Sequence, residues 1–458
     1  MAQPHDQPPT HYALAYSEYR RYATGALLSN IGLQMMAVAV SWQIYRLTHS
    51  TLALGLVGLA EVIPVVGLAL PGGQLADIFS RRRLVLGSSL GILACCLALA
   101  ALASGHLVAP DAPALIAANQ FLENLARRMG EQQVHFDSTV VPVMYVVIFF
   151  LGVTRAIMGP ARSALLPMLV PATAFPNAVT WNSSFFQLAA MAGPALGGLI
   201  LGFTSTGGDS YAPVYLLSSA SVLVLIVAIY SLPEKPYPHS EERHGLESML
   251  VGLRFVHRQK VILGSIALDM FAVLLGGVTA LLPVYADEIL HVGPRGLGIL
   301  RAAPSVGSFL MAIWLAHHPP IRRAGPALFW SVTAFGVGII VFGLSRSFWL
   351  SLAALFFCGL ADNISVVVRH TLVQILTPDS LRGRVSAVNQ IFISLSNELG
   401  ALRAGTVAAV VGPVLSTVGG GVGTILVAGV AAILWPGLRR YGSLAVTKLP
   451  ETEESVEP

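Results

Sequence analysis

Charge is scarce in this sequence: Asp, Glu, Lys and Arg together make up only 11% of 458 residues, about half of what a water-soluble globular chain carries. A soluble fold is thereby excluded. There are only three cysteines, Cys95, Cys96 and Cys358, all inside apolar runs and without metal-ligand spacing. This argues against a disulfide framework or a zinc site, and no metal or other cofactor is expected. The polar opening MAQPHDQPPTHY has no basic start leading into a short apolar stretch and a cleavage site, so a cleavable signal peptide is not expected. No G-x-x-x-x-G-K-[ST] loop, paired-His motif or Ser/His/Asp arrangement stands out, so neither ATP hydrolysis nor another enzymatic activity is expected. The net charge of +4 comes from basic residues in short loops and does not point to nucleic acid.

What the chain has in excess is apolar residues, 55% of positions, gathered into runs of about twenty, each long enough to cross a roughly 30 Å hydrocarbon layer as a helix. The runs are continuously apolar and rich in Gly and Ala, not alternating, which predicts helices and not a β-barrel. Spans are expected near 20–46, 51–76, 84–105, 141–169, 176–203, 211–232, 262–289, 295–317, 326–345, 348–376, 385–411 and 413–437. The predicted fold class is thus an all-α integral membrane protein with twelve transmembrane helices. The predicted division is an N-terminal six-helix half over 1–232, a linker over 233–261 and a C-terminal six-helix half with a tail over 262–458. Part of the linker, GLESMLVGLRFVHRQK, has apolar residues at helical spacing and is expected to form an interfacial helix, with a disordered linker as the alternative.

Cytoplasmic loops are enriched in Lys and Arg. With both termini inside, the loops of that side hold seventeen basic residues, Arg81, Arg82, Arg83, Lys235, Arg243 and Lys448 among them, against five on the other side. Both termini are therefore expected on the cytoplasmic side of the membrane.

The halves repeat. Pro304 and Pro64, Gly298 and Gly58, and Tyr285 and Tyr45 each stand 240 positions apart, whereas Arg369 and Arg162, Asn389 and Asn182, and Gly400 and Gly193 stand 207 apart. The first half therefore contains a net insertion of 33 residues. It falls at 107–140, on the periplasmic side, as a short amphipathic helix or a disordered loop. The same offsets match Glu61 to Arg301 and Arg155 to Asp362, opposite charges at equivalent places in the two halves.

Ionisable residues inside spans are costly and mark function by default. Glu61 and Asp269 are the expected proton carriers, since a carboxylate shielded from water can bind and release a proton near neutral pH. Arg155, Arg301 and Asp362 are further coupling candidates. Glu398 and Arg403 can alternatively form a structural pair. Asn30, Gln34, Phe271 and Glu398 are candidates to line the substrate cavity.

Two six-helix halves in one orientation, joined by a basic linker, resemble the major facilitator superfamily. Three motifs support this. Gly73-Gln-Leu-Ala-Asp77-Ile-Phe-Ser80-Arg81-Arg82-Arg83 is similar to the superfamily's loop motif, with Ser80 where Gly is usual. It implies a cytoplasmic gate in which Gly73 allows close helix approach and Asp77 pairs with basic residues. Gly193-Pro194-Ala-Leu-Gly197-Gly198 resembles the motif of drug and proton antiporters, and Gly152-Val-Thr-Arg155-Ala-Ile-Met-Gly159 the buried-arginine motif. At a finer level the stretches SWQIYRLTHSTLALGLVGLAEVIP, HGLESMLVGLRFV and TPDSLRGRVSAV resemble the branch of enterobactin exporters and macrolide efflux proteins. The resemblance implies a secondary exporter exchanging protons for an amphipathic small molecule, a siderophore or a drug, across the bilayer, with a monomer as the expected form. The alternatives are an uptake symporter or lysophospholipid transporter on the same fold, and a transport-dead scaffold or sensor.

Overall fold

A computed structural model describes residues 12–107, 112–132, 134–136, 139–204, 210–234 and 246–444. Among these, fourteen helices of twelve or more residues follow in order: α1 (Ser17–Thr48), α2 (Thr51–Ile78), α3 (Arg81–Ala103), α4 (Pro113–Met129), α5 (Val140–Leu165), α6 (Phe175–Thr204), α7 (Ala212–Tyr230), α8 (Leu246–Arg258), α9 (Lys260–Gly276), α10 (Gly293–Ala316), α11 (Ala324–Leu344), α12 (Phe348–Leu376), α13 (Asp379–Val411) and α14 (Pro413–Leu434). Short helical turns between Thr279 and Ile289 carry the seventh span onward beyond α9.

Among the described residues, eleven segments are long and apolar enough to cross a membrane. The twelfth position belongs to α13, which is 33 residues long but carries Asp379, Arg382, Arg384, Glu398 and Arg403 and so falls short on apolarity alone. Outward-facing positions are apolar: Trp330, Trp349 and Ile433 are exposed, the arrangement expected where lipid and not water is the solvent. The remaining two helices are α4, in the inserted segment, and α8, in the linker. The basic residues Lys235, Arg243 and Lys448 lie outside the described residues.

Helices α1, α2, α3, α5, α6 and α7 pack on one another, as do α9 to α14, and the two groups meet along two seams, α2 against α13 and α6 against α10. Because α2 repeats as α10 and α6 as α13, these seams are one interface seen twice. Glycines set their closeness. A Cβ on Gly198 of α6 would stand 2.5 Å from the Pro294 oxygen and 2.6 Å from Gly298 Cα of α10; at the matching place, a Cβ on Gly405 of α13 would stand 2.5 Å from the Thr51 oxygen and 2.7 Å from Gly55 Cα of α2. Small residues that let backbones touch are the usual means of holding helices together in lipid, where burial of apolar surface gives no drive.

All these crossings lie toward the face opposite the Arg81–Arg83 loop, hereafter the far face. Further bonds join the halves there: Tyr45 donates to the Glu288 carboxylate, and Arg46 pairs with Asp287 at 3.4 Å. On the basic face, by contrast, Cβ atoms on Gly67 and Gly73 of α2, Gly159 of α5 and Gly383 of α13 would meet nothing within 4 Å. Among the described residues, the contacts that join the halves gather at the far face, and these glycines leave the basic face the more open of the two.

The inserted segment ends as a strap on the far-face seam. Helix α4 terminates at Gly130, whose φ of +112° is the left-handed conformation that glycine adopts without penalty, and the chain turns so that Glu131 reaches the start of α2. Its carboxylate accepts from Ser50 Oγ at 2.5 Å, from the Thr51 backbone N–H at 2.6 Å and from Thr51 Oγ1 at 2.6 Å. The first N–H groups of a helix have no intrahelical partner, and here an acceptor eighty residues away supplies one.

Two outcomes are expected. Glu131→Ala removes three charge-assisted bonds and should cost roughly 1.5–3 kcal/mol, read as a lower Tm and faster hydrogen exchange at residues 50–54. Gly405→Leu cannot be accommodated without parting α2 from α13, so spin labels across that far-face seam should move apart, whereas Gly67→Leu should leave that distance unchanged.

Candidate functional site

Between the halves lies a cavity of about 310 Å³ whose walls include four ionisable side chains: Glu61 of α2, Arg155 of α5, Arg301 of α10 and Glu398 of α13. Gln34, Ser41, Thr279 and Asn397 add polar groups, and Val40, Leu54, Val57, Leu151 and Val273 apolar ones. A chamber with an apolar wall and a few convergent polar groups suits an amphipathic small molecule.

The charges are held there by close helix contact. Gly152 lets α5 lie on α2, since a Cβ there would stand 2.6 Å from Pro64 Cγ and 2.7 Å from the Glu61 oxygen. One turn further, Arg155 forms a hydrogen-bonded ion pair with Glu61. Arg301 crosses from one half to the other, its Nη1 lying 3.3 Å from the Ala37 carbonyl oxygen and 3.4 Å from Ser41 Oγ of α1, long and therefore weak contacts. Glu398 lies over Gly58, where a Cβ would stand 3.2 Å from its Oε2. It lies within electrostatic reach of Glu61, Arg155 and Arg301 and has no hydrogen bond or ion pair among the described residues.

Other expected site residues sit elsewhere. Asp269 is buried in the second half and pairs with Arg369 at 3.1 Å, and Arg369 also donates to Asn389 Oδ1 at 2.8 Å. Asp362 belongs to that cluster, within electrostatic reach of both Asp269 and Arg369, and is not a wall residue of the central cavity. The repeat thus brings Glu61 and Arg301 to one chamber but separates Arg155 from Asp362. Phe271 lines no part of the chamber; it faces a separate apolar hollow bounded by α8, α9 and α13 with Leu250, Leu253 and Phe392. Asn30 accepts a hydrogen bond from Arg162 Nη1 at 3.2 Å instead of facing the chamber. Arg403 does not pair with Glu398: it donates to the carbonyl of Leu274 at 3.2 Å and to that of Leu275, closing the end of α9.

The small residues of the span-five motif are packing contacts. A Cβ on Gly193 would stand 2.5 Å from Gln34 Cβ of α1 and one on Gly197 3.0 Å from Met35 Cα, while Gly198 makes the α10 crossing; Pro194 is buried within α6. In the loop motif, a Cβ on Gly73 would meet nothing within 4 Å among the described residues, and the close helix approach expected of Gly73 is made by its neighbour Gly72, where a Cβ would stand 2.7 Å from the Ala156 oxygen. Its arginines bind within their own half: Arg81 donates to the Ala164 carbonyl at 3.2 Å, Arg82 to those of Ile229 and Tyr230 at 3.1 and 2.6 Å, and Arg83 pairs with Glu234 at 2.9 Å. The side chain of Asp77 lies outside the described residues. Arg369 and Arg162 are intramembrane charges not among the expected site residues, and their matched positions in the two halves, 207 apart, are the sequence signal that marks them.

Among curated proteins, the enterobactin exporters of Shigella boydii and Citrobacter koseri are 26% and 27% identical over 428 residues, which is 92% of this chain and 93% of each relative. Among solved structures, a D-xylose-proton symporter superposes with a TM-score of 0.67 at 15% identity, covering 93% of this chain and 99% of that one. A bacterial homologue of the human lysosomal transporter Spinster, in an inward-facing and unoccupied conformation, gives 0.64 at 14% identity, covering 95% and 99%. These likenesses establish the fold. The sequence pattern described as Major Facilitator Superfamily matches residues 22–401, and with twelve helices in two repeated halves around a charged central chamber, the chain belongs to that superfamily of membrane transporters.

Proposed function

We propose that this protein is a proton-coupled exporter of an amphipathic small molecule in the bacterial inner membrane. In this reading the basic face and both termini are cytoplasmic, the enrichment of arginine on that face supporting the orientation. The observation that carries the reading is the central chamber walled by Glu61, Arg155, Arg301 and Glu398, with the contacts between the halves gathered at the far face. The enterobactin exporters similar over nine-tenths of the chain favour export and a siderophore-like substrate.

The four charges give a way to couple substrate to protons. Two carboxylates and two guanidinium groups balance when all are ionised. Glu61 is neutralised by Arg155, so Glu398 is the carboxylate free to exchange a proton with water entering from the cytoplasm. A substrate that displaces Arg301 from its weak contacts on α1 alters the field at Glu398, and the proton and the substrate then compete for one electrostatic environment. Alternating access follows from the seams: the far face must open as the basic face closes, with the halves rocking about the chamber. Asp269, enclosed with Arg369, serves the packing of the second half and does not carry the proton.

The test is proton flux in sealed proteoliposomes, with enterobactin as the first substrate and hydrophobic drugs after it. Wild type should show substrate-evoked flux. Glu398→Gln and Glu61→Gln should abolish the flux while substrate-for-substrate exchange persists. Flux unchanged in both variants would overturn the coupling assignment, and a wild type that moves lysolipid but no drug or siderophore would make it a lipid transporter. Asp269→Asn should act differently, leaving the Arg369 charge buried without its partner at a cost of about 3–5 kcal/mol; the expected result is a lower yield of folded protein whose remaining fraction still couples.

A further inference from the structure

The two halves handle one buried arginine differently. In the second half, Arg369 is neutralised by Asp269 at 3.1 Å and bonded to Asn389 at 2.8 Å, leaving only its Nε without a partner. Its counterpart in the first half, 207 positions earlier, is Arg162. The position 240 before Asp269, where the counter-charge should stand, is Ser29. Arg162 Nη1 donates to Asn30 Oδ1 at 3.2 Å, but its Nε and Nη2 are buried and have no hydrogen-bond partner among the described residues, and Ser29 Oγ is likewise buried without one. The charged and titratable groups that act on Arg162 are Tyr22 and Arg155, neither of which is a carboxylate.

A guanidinium with two idle donors in a membrane protein is costly, and the fork formed by Nε and Nη2 matches the two oxygens of a carboxylate or phosphate. The location also fits a ligand. Arg155, Gly159 and Arg162 stand at i, i+4 and i+7 on α5, one stripe of the helix, and Arg155 lines the central chamber. Gly159 is exposed, with nothing within 4 Å of a Cβ there, so open space adjoins Arg162. Seven residues of helix place Arg162 about 10 Å from Arg155 along the axis, toward the open basic face.

We infer that Arg162, with Ser29 and Asn30, forms a receiving site for an oxyanion, the carboxylate or phosphate of a small molecule entering the chamber from the basic face. The ligand supplies the negative charge that Asp269 supplies permanently in the other half. The inference rests on the geometry of α1 and α5 and does not require the export reading to hold.

Binding is tested on the full-length protein in phosphatidylcholine nanodiscs by thermal shift, with benzoate and inorganic phosphate as probes and benzamide and matched sodium chloride as controls. Benzoate or phosphate should raise the Tm of wild type saturably by about 2–4 °C, and the controls should not. Ser29→Asp builds the missing carboxylate, so it should raise the resting Tm and abolish the response to both anions; Arg162→Gln should also abolish it. Asp269→Asn, which strips the charge from the other half, should leave the response intact in the protein that folds. Repeating the titration in nanodiscs containing phosphatidylglycerol separates the sources: a response lost only there assigns the site to a lipid phosphate, and one retained there to a soluble anion. No anion-specific shift in wild type, or an equal shift in Ser29→Asp, would overturn the assignment.

Discussion

A charge inside hydrocarbon needs an opposite charge or water within reach, because the cost of leaving it bare exceeds that of almost any other local fault. The arrangement of the spans around their ionisable groups follows from that constraint. Glu61 has Arg155; Asp269 has Arg369; Arg403 spends its donors on the carbonyls that α9 leaves open where it stops at Gly276. Of the groups without such a partner, Arg301 and Glu398 face the chamber, and Arg162 stands beside it on the stripe of α5 that also carries Arg155. The chamber is thus both the place where charge is tolerated and the place where it can be changed, which is what a carrier of ions and solutes requires.

Close packing and openness are divided between the two faces by the same residue type. Gly198 and Gly405 at the far face bring backbones of the two halves together at distances no other residue permits, whereas Gly67, Gly73, Gly159 and Gly383 near the basic face meet nothing within 4 Å among the described residues. The motif arginines bound within their own half belong to the open arrangement, in which they are not called on to bridge the halves.

The spans were legible in the sequence because an apolar run of twenty residues has almost no alternative to a membrane helix; expected and observed ends lie within about four residues of each other except in the seventh span, where the regular helix α9 stops at Gly276 and only short turns continue to Ile289, and at the start of α13, which begins at Asp379 and not at 385. The least apolar span, α13, was expected from its apolar run over 385–411, and the repeat agrees with it, since its Asn389 and Gly400 match Asn182 and Gly193. Which face each residue presents was much less legible. In α9 the composition is apolar all round, so periodicity offers no inward direction, and Phe271 was expected in the chamber although it faces a different hollow. Pairings such as Glu61 with Arg155, or Asp269 with Arg369, join residues about a hundred positions apart on different helices, a relation that spacing along one helix cannot express. The repeat offsets went part of the way: they brought Glu61 and Arg301 together correctly but also matched Arg155 to Asp362, because equivalence under a pseudo-twofold axis is not contact.

The segment between α3 and α5 has the outward marks of a dispensable insertion: it interrupts the repeat, it is polar, and its counterpart in the second half is nearly absent. Connecting loops usually tolerate shortening. Here the end of the segment supplies the acceptor for the first N–H groups of α2 and rests against α13, with Gly130 beside the Ala409 oxygen. An engineer trimming this chain to a minimal transporter by symmetry with its second half would therefore remove a structural part of the first, and a truncation that looks conservative in an alignment of the halves would act like a lesion at a helix cap.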